Sequence, residues 1–312
     1  MSEFTNPRQP HAALVGLASP HDYLEIGTEE SVIILSGSSQ GYELELMCIR
    51  GVAQQAALST PLYAWLHQVV ESACNERRNV RPSHGGHMAQ VGLNRGPWHA
   101  RVVGWAKSYT RNLDPSIQQC HDEDVIGAVS LVWAMIKAVV PSEAIQEVEA
   151  SLEQAEMPRI ATRNVAEGSG YKITVGQQIY SFPAAERGPP EAYMSRGYVA
   201  WSHIDKAYCK FAFSLCVARE LVTTRYNALP SGGANFVDVG LRVVIKQAAG
   251  TLIGFKADYS HGTTLAYGAV NHSISMAFSR PLAQAWKDSL LNKGVTSAPG
   301  AGEGNPDVEL PQ

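Results

Sequence analysis

This 312-residue sequence predicts an α+β fold in which helices pack on one side of an all-β sandwich or barrel. Three observations carry that expectation. Hydrophobic residues make up 45% of the chain and charged residues 17%, the balance of a polypeptide that buries a core. Long apolar stretches of helical length lie before about residue 160. Beyond that point come short β-type runs divided by turn signals, without helices between them.

The elements follow in order. Residues 1–20 are polar and proline-punctuated and are expected to be disordered, as is the Gly/Pro-rich tail 293–312. Residues 21–160 form a mixed α/β support region. In it Ser31–Ser36 and Tyr42–Cys48 read as strands around the turn Gly37–Gly41. Thr60-Pro61 opens a helix to about Cys74, with proline where a first turn tolerates it. Asp122-Glu123-Asp124 precedes a buried helix to Val140, acids at the end where the dipole favours them. Pro141-Ser142 restarts an acidic helix to about Glu156. Residues 161–292 form the β core, with runs at 171–175, 198–202, 211–215, 237–239, 241–245, 251–255 and 273–278.

Composition limits the function. The longest apolar run, Val125–Val140, contains Lys137 and is shorter than the ~20 residues that cross a bilayer, so no membrane span is expected. The five cysteines are scattered and never form a C-x-x-C pair, which reads as reduced thiols of an intracellular protein, nuclear or cytoplasmic. Net charge is −4, yet residues 77–113 hold seven basic residues (Arg77, Arg78, Arg81, Arg95, Arg101, Lys107 and Arg111) and no acid. That block reads as solvated surface or as a phosphate-facing patch. Pro97-Trp98-His99 and Trp105 interleave aromatic rings with its cations.

The candidate chemistry lies in His203-Ile204-Asp205, which follows the run 198–202. In an extended segment residues i and i+2 point the same way, so an imidazole and a carboxylate converge. His261-Gly262 follows another apolar strand fifty-eight residues later. Two imidazoles and a carboxylate on one face of a metal form the facial triad of non-haem Fe(II) oxygenases. His272 is the rival second histidine, but it begins the last strand rather than following one. A weaker H-x-x-H occurs at His84 and His87, and Trp201 and Tyr208 flank the H-x-D where they could wall a cavity.

Residues 80–285, with Val80-Arg81-Pro82-Ser83, His203-Ile204-Asp205, Asn235-Phe236, His261-Gly262-Thr263-Thr264 and His272–Arg280, resemble the Fe(II)/2-oxoglutarate-dependent dioxygenases, most of all the TET/JBP-like members of fungal and algal type. The resemblance implies a double-stranded β-helix, a jelly-roll of the cupin-like kind with supporting helices. It implies that His203, Asp205 and His261 hold iron and that 2-oxoglutarate is the co-substrate. It also implies a methylated base in DNA as target, 5-methylcytosine first, with DNA as partner and Arg77, Arg78, Arg81 and Trp201 as the DNA-facing residues. A flipped base needs such a basic collar.

The last strand departs from the family. Relatives carry an arginine two residues before a serine there, to clamp the distal carboxylate of 2-oxoglutarate; if Ser275 is that serine, Ser273 stands where the arginine belongs. Arg280, redirected by a bulge, or Arg242 on a neighbouring strand would then supply the charge, with Ser275 and His272 beside the co-substrate. Otherwise ascorbate, a weaker acid with several hydroxyls, replaces 2-oxoglutarate on a serine-lined strand. The alternatives to the DNA target are the same metal chemistry on a small molecule or a protein side chain, which the net negative charge favours, and a non-enzymatic barrel that has lost iron and serves as a binding module.

Overall fold

The computed structural model describes residues 3–6, 9–15, 23–38, 41–54, 59–95, 103–106, 114–160, 171–175, 178–182, 187–222 and 232–296. In chain order the elements are β1 (Glu3–Asn6), β2 (Gln9–Val15), β3 (Leu24–Ile26), β4 (Val32–Ser38), β5 (Gly41–Ile49), α1 (Ser59–Glu76), β6 (Gly85–Arg95), β7 (Val103–Trp105), α2 (Pro115–Val139) and α3 (Ser142–Gln154). There follow β8 (Tyr171–Val175), β9 (Gln178–Phe182), β10 (Glu191–Val199), β11 (Phe211–Leu221), β12 (Phe236–Asp238), β13 (Val243–Ile245), β14 (Thr251–Lys256), β15 (His261–Thr263), β16 (Ala269–Met276) and α4 (Arg280–Thr296).

An eight-stranded sheet of order β4-β5-β14-β11-β16-β10-β6-β7 is antiparallel throughout. A four-stranded sheet, β15-β12-β13-β3, has one parallel pair, β13 with β3. Period-two alternation assigns each strand of the large sheet two faces. Met194 on β10, Phe213 and Leu215 on β11, Leu252 on β14 and Ile274 and Met276 on β16 enter one core with Leu66, Val69 and Val70 of α1 and Val129, Trp133 and Ile136 of α2. The opposite face sends Leu46, Cys48, Ala212, Ile253 and Phe255 into a second core against Ile26, Phe236, Val243 and Ile245. The large sheet is therefore a middle layer between helices and the small sheet.

Several expectations change here. Strands β4 to β7, from before residue 160, share the large sheet with β10, β11, β14 and β16, so that position does not divide a support region from a β core. The N-terminal segment expected to be disordered contains the hairpin β1–β2. Helix α2 starts at Pro115, seven residues before the expected acids, because Asp114 caps it by accepting from the Ser116 amide at 2.8 Å. The run expected at 198–202 ends at Val199, the close of a longer strand that begins at Glu191. Arg280 begins α4 rather than extending the last strand; Ser279 caps that helix with its carbonyl, and Pro281 fits the first turn. Most of the tail, with Trp98, His99, Arg101, Lys107 and Arg111, lies outside the described residues. All five cysteines are unpaired and four are buried, and no helix among the described residues is long and apolar enough to cross a membrane.

Candidate metal centre

Between the two sheets lies a cavity of about 960 Å³. Its floor is the non-helical face of the large sheet: Tyr193 and Ser195 of β10, Ser214 of β11, and Asn271, Ser273 and Ser275 of β16. Ser214 Oγ and Ser275 Oγ are hydrogen-bonded at 2.8 Å. Phe236, Phe255 and His261–Thr263 form the opposite wall.

His203 and Asp205 stand in the link between β10 and β11, held to the small sheet by backbone bonds. His203 and His261 form an antiparallel bridge in which each amide donates to the other's carbonyl, at 2.8 and 2.9 Å. The Asp205 amide donates to Ala257 O at 2.9 Å. Ile204, between the two candidate ligands, is 60% exposed, so alternation sends its neighbours inward. Gly262 permits the close approach of the two segments, since a Cβ there would meet Ala200 O at 3.0 Å and Ser202 N at 3.1 Å.

The three side chains converge. Nε2 of His203 is 3.6 Å from Asp205 Oδ1, and Nε2 of His261 is 3.6 Å from Oδ2. Both rings anchor the other nitrogen on a backbone carbonyl: His203 Nδ1 donates to Trp201 O at 2.6 Å, and His261 Nδ1 to Tyr259 O at 2.8 Å. That tautomer leaves each Nε2 lone pair for a cation. Burial, helped by the neighbouring His261 and opposed by Asp205, lowers the His203 pKa to about 4, so the ring is neutral at physiological pH. Burial works to raise the Asp205 pKa, but His261, His203 and Arg81 outweigh it and hold the carboxyl below its usual range. Neutral imidazoles and an ionised carboxylate are the donors that a divalent metal requires, and ligand atoms of the three residues lie within 4.8 Å of one another. The set fits Fe(II), with one face open to the cavity.

The other expected site residues are placed differently. Among the described residues, the charged side chains other than histidine that line the cavity are Asp205, Arg81 and Lys206. Arg81 Nη2 is 3.6 Å from Asp205 Oδ1. Arg280 is not on the cavity wall, and its Nε donates to Ala207 O at 3.1 Å. Arg242 is at the small sheet, with positive φ (57°) and its guanidinium 5.9 Å from the centre of the Tyr23 ring. Neither can clamp a co-substrate there. Ser275 does line the cavity, whereas His272 points to the helices, where Nε2 meets Glu71 Oε1 at 2.7 Å. Arg77 is only 3% exposed and paired with Asp122, so it cannot face DNA; Arg78 and Arg81 are exposed. Trp201 does not line the cavity but donates from Nε1 to Ser83 O at 3.1 Å, and Tyr208 packs on Phe278. His84 is on the cavity wall with Nδ1 2.5 Å from Tyr198 Oη, while His87 Nε2 meets Arg77 O, so the two do not share a ligand position. The serine floor is only half legible in the sequence: Ser273 and Ser275 alternate visibly, but Ser195 and Ser214 join them through strand pairing.

No family model and no curated protein matches the chain. Among solved structures it is similar to NgTET1 in complex with 5mC DNA, at 10% identity over 88% of this chain and 92% of that one, with a TM-score of 0.49. It is also similar to a prolyl-4-hydroxylase of Pseudomonas putida (10% identity, 76% and 93% coverage, TM-score 0.34) and to HygX of Streptomyces hygroscopicus with nickel and 2-oxoglutarate bound (10% identity, 76% and 84% coverage, TM-score 0.32). Likenesses of this size carry no functional weight, and the chemistry rests on the side chains.

Proposed function

We propose that the protein is an Fe(II)-dependent dioxygenase of the 2-oxoglutarate type on a double-stranded β-helix, with His203, Asp205 and His261 as iron ligands. The observation that carries the reading is the placement of two Nε2 atoms at 3.6 Å from the two oxygens of one carboxylate, on the wall of the cavity between the sheets. Bound iron would supply the activation of O₂ for oxidation of a C–H bond. The chain's part is to fix three donors, leave the cavity side open, and hold co-substrate and target against it. Arg81 is the guanidinium best placed to receive a co-substrate carboxylate, and Lys206 adds a second cation on the cavity wall.

The target in this reading is a methylated base in DNA, 5-methylcytosine first, supported by the TET/JBP-like resemblance of residues 80–285 and by the exposed Arg78 and Arg81. A second reading keeps the iron and takes ascorbate as co-substrate. It is favoured by Ser195, Ser214, Ser273 and Ser275, hydroxyls where a dianion would need a guanidinium.

Anaerobic Fe(II) titration followed by oxygenation on methylated duplex DNA, with 2-oxoglutarate and ascorbate in parallel, tests both. One equivalent of iron and consumption of one co-substrate coupled to base oxidation support the proposal. Iron binding without oxidation of DNA removes the nucleic-acid target, and absence of iron binding removes the enzyme.

A further inference from the structure

The helix-facing side of β16 carries a second cluster of side chains of metal-ligating type, on the face opposite the cavity. His67 and Glu71 are four residues apart on α1 and so share one helix face. His272 of β16 reaches the same point from the sheet; its ring is 4.2 Å from that of His67, centre to centre, and its Nε2 is 2.7 Å from Glu71 Oε1. One ligand atom from each of the three lies within 4.8 Å of the others. Glu220 of β11 brings a further carboxylate, 3.7 Å from His67 Nε2.

We propose that His67, Glu71 and His272, with Glu220 as fourth donor, form a binding site for zinc or a similar divalent transition metal that fastens α1 to the large sheet. The donor set is the first support: two imidazoles and carboxylate oxygens suit Zn(II), which takes four such ligands tetrahedrally. The second is His272 itself. It is 2% exposed, and its Nε2 faces Glu71 Oε1 at 2.7 Å, so a buried imidazole already points into the cluster. The third is preorganisation. Arg196 donates to Glu71 Oε2 at 2.7 Å, which fixes the carboxylate and leaves Oε1 turned to His272.

The geometry needs little adjustment. Tetrahedral donors about 2.1 Å from zinc stand roughly 3.4 Å apart, so the 2.7 Å contact between Glu71 and His272 must open by less than an ångström. Glu71 is half-buried and at the end of a flexible side chain, so that movement is available. In the metal-free form the His272 Nε2–H donates to Glu71 Oε1. The ion would take that position, and the ring proton would pass to Nδ1. Because Asn271 and Ser273 flank His272 and face the cavity, the metal would also stiffen the strand that floors the candidate iron site.

The test uses the full chain, stripped of metal, in a His203→Ala/His261→Ala background that disables the cavity triad. Calorimetric titration with zinc should show one equivalent bound, with a rise in Tm. Glu71→Gln or His67→Ala in that background should weaken binding at least a hundredfold and remove the rise. His67 is partly exposed, so its variant keeps the test usable should Glu71→Gln fail to fold. Cobalt(II) in place of zinc should give the absorption of a four-coordinate site, absent in both variants. Background protein that binds no zinc, or zinc binding unchanged by both substitutions, overturns the proposal. An unaltered iron stoichiometry in His203→Ala/His261→Ala would instead count against the cavity triad, so the two readings fail separately.

Discussion

Arg81→Ala removes the guanidinium that stands 3.6 Å from Asp205 on the cavity wall. If a co-substrate carboxylate binds beside the triad, that guanidinium is its charged donor. A hydrogen bond to a charged group contributes roughly 1.5–3 kcal/mol, but the Arg81 side chain is 47% exposed, and solvent screening brings the expected loss to about 1–1.5 kcal/mol. The half-saturating 2-oxoglutarate concentration should therefore rise about tenfold, and less for singly charged ascorbate. Arg280→Ala and Arg242→Ala should change it less than about twofold, because neither side chain reaches the cavity. Co-substrate consumption measured over a concentration series at two ionic strengths makes the comparison, with Fe(II) affinity as control. The iron should stay bound in Arg81→Ala, since His203, Asp205 and His261 are all retained. A larger effect from Arg280→Ala than from Arg81→Ala would refute this assignment of the cavity's cations.

His203→Ala or Asp205→Ala should abolish Fe(II) binding and turnover while circular dichroism stays native, because each removes a ligand and little packing; full activity in either would take the H-x-D out of the site. His261→Ala should abolish turnover, whereas His272→Ala should retain iron at the cavity, and the reverse result would exchange the two histidines. Arg77→Ala should lower stability by about 2–3 kcal/mol in urea unfolding, because it removes a buried guanidinium and its ion pair with Asp122, and should leave the salt dependence of DNA affinity unchanged. Glu191 is fully buried, accepting from Ser279 N at 2.6 Å, Tyr193 Oη at 3.0 Å and Gln90 Nε2 at 3.1 Å, and burial raises its pKa to about 7. Between its unfolded value of 4.5 and about 7 the folded state binds the extra proton, so stability should fall as pH rises through that window. Glu191→Gln should flatten this slope in denaturation curves taken from pH 5 to 8.

The legible parts of the fold and site are those governed by local period. The i, i+2 rule places His203 and Asp205 on one side of an extended segment, and the exposed Ile204 between them is the same rule seen from outside. Alternation along β16 likewise separates Ser273 and Ser275 from His272, Ile274 and Met276. What the sequence does not reveal is which distant segments meet. β5, from before residue 160, pairs with β14, and β6 pairs with β10, because antiparallel neighbours in a large sheet need not be neighbours in the chain. The same limit governs the charges. Arg77 and Arg81 stand four residues apart in one basic block, yet the end of α1 turns Arg77 inward to Asp122 while the following loop carries Arg81 to Asp205. A residue that resembles a surface cation by composition thus becomes a buried strut, and its near neighbour becomes the guanidinium beside the triad. His272 makes the point for a single side chain: its strand supplies the cavity floor, but its own parity commits it to α1, where Glu71 stands 201 residues earlier in the chain, beyond the reach of any local pattern. The direction of a side chain is legible where strand parity fixes it, and the partner it meets is set by which other element packs there.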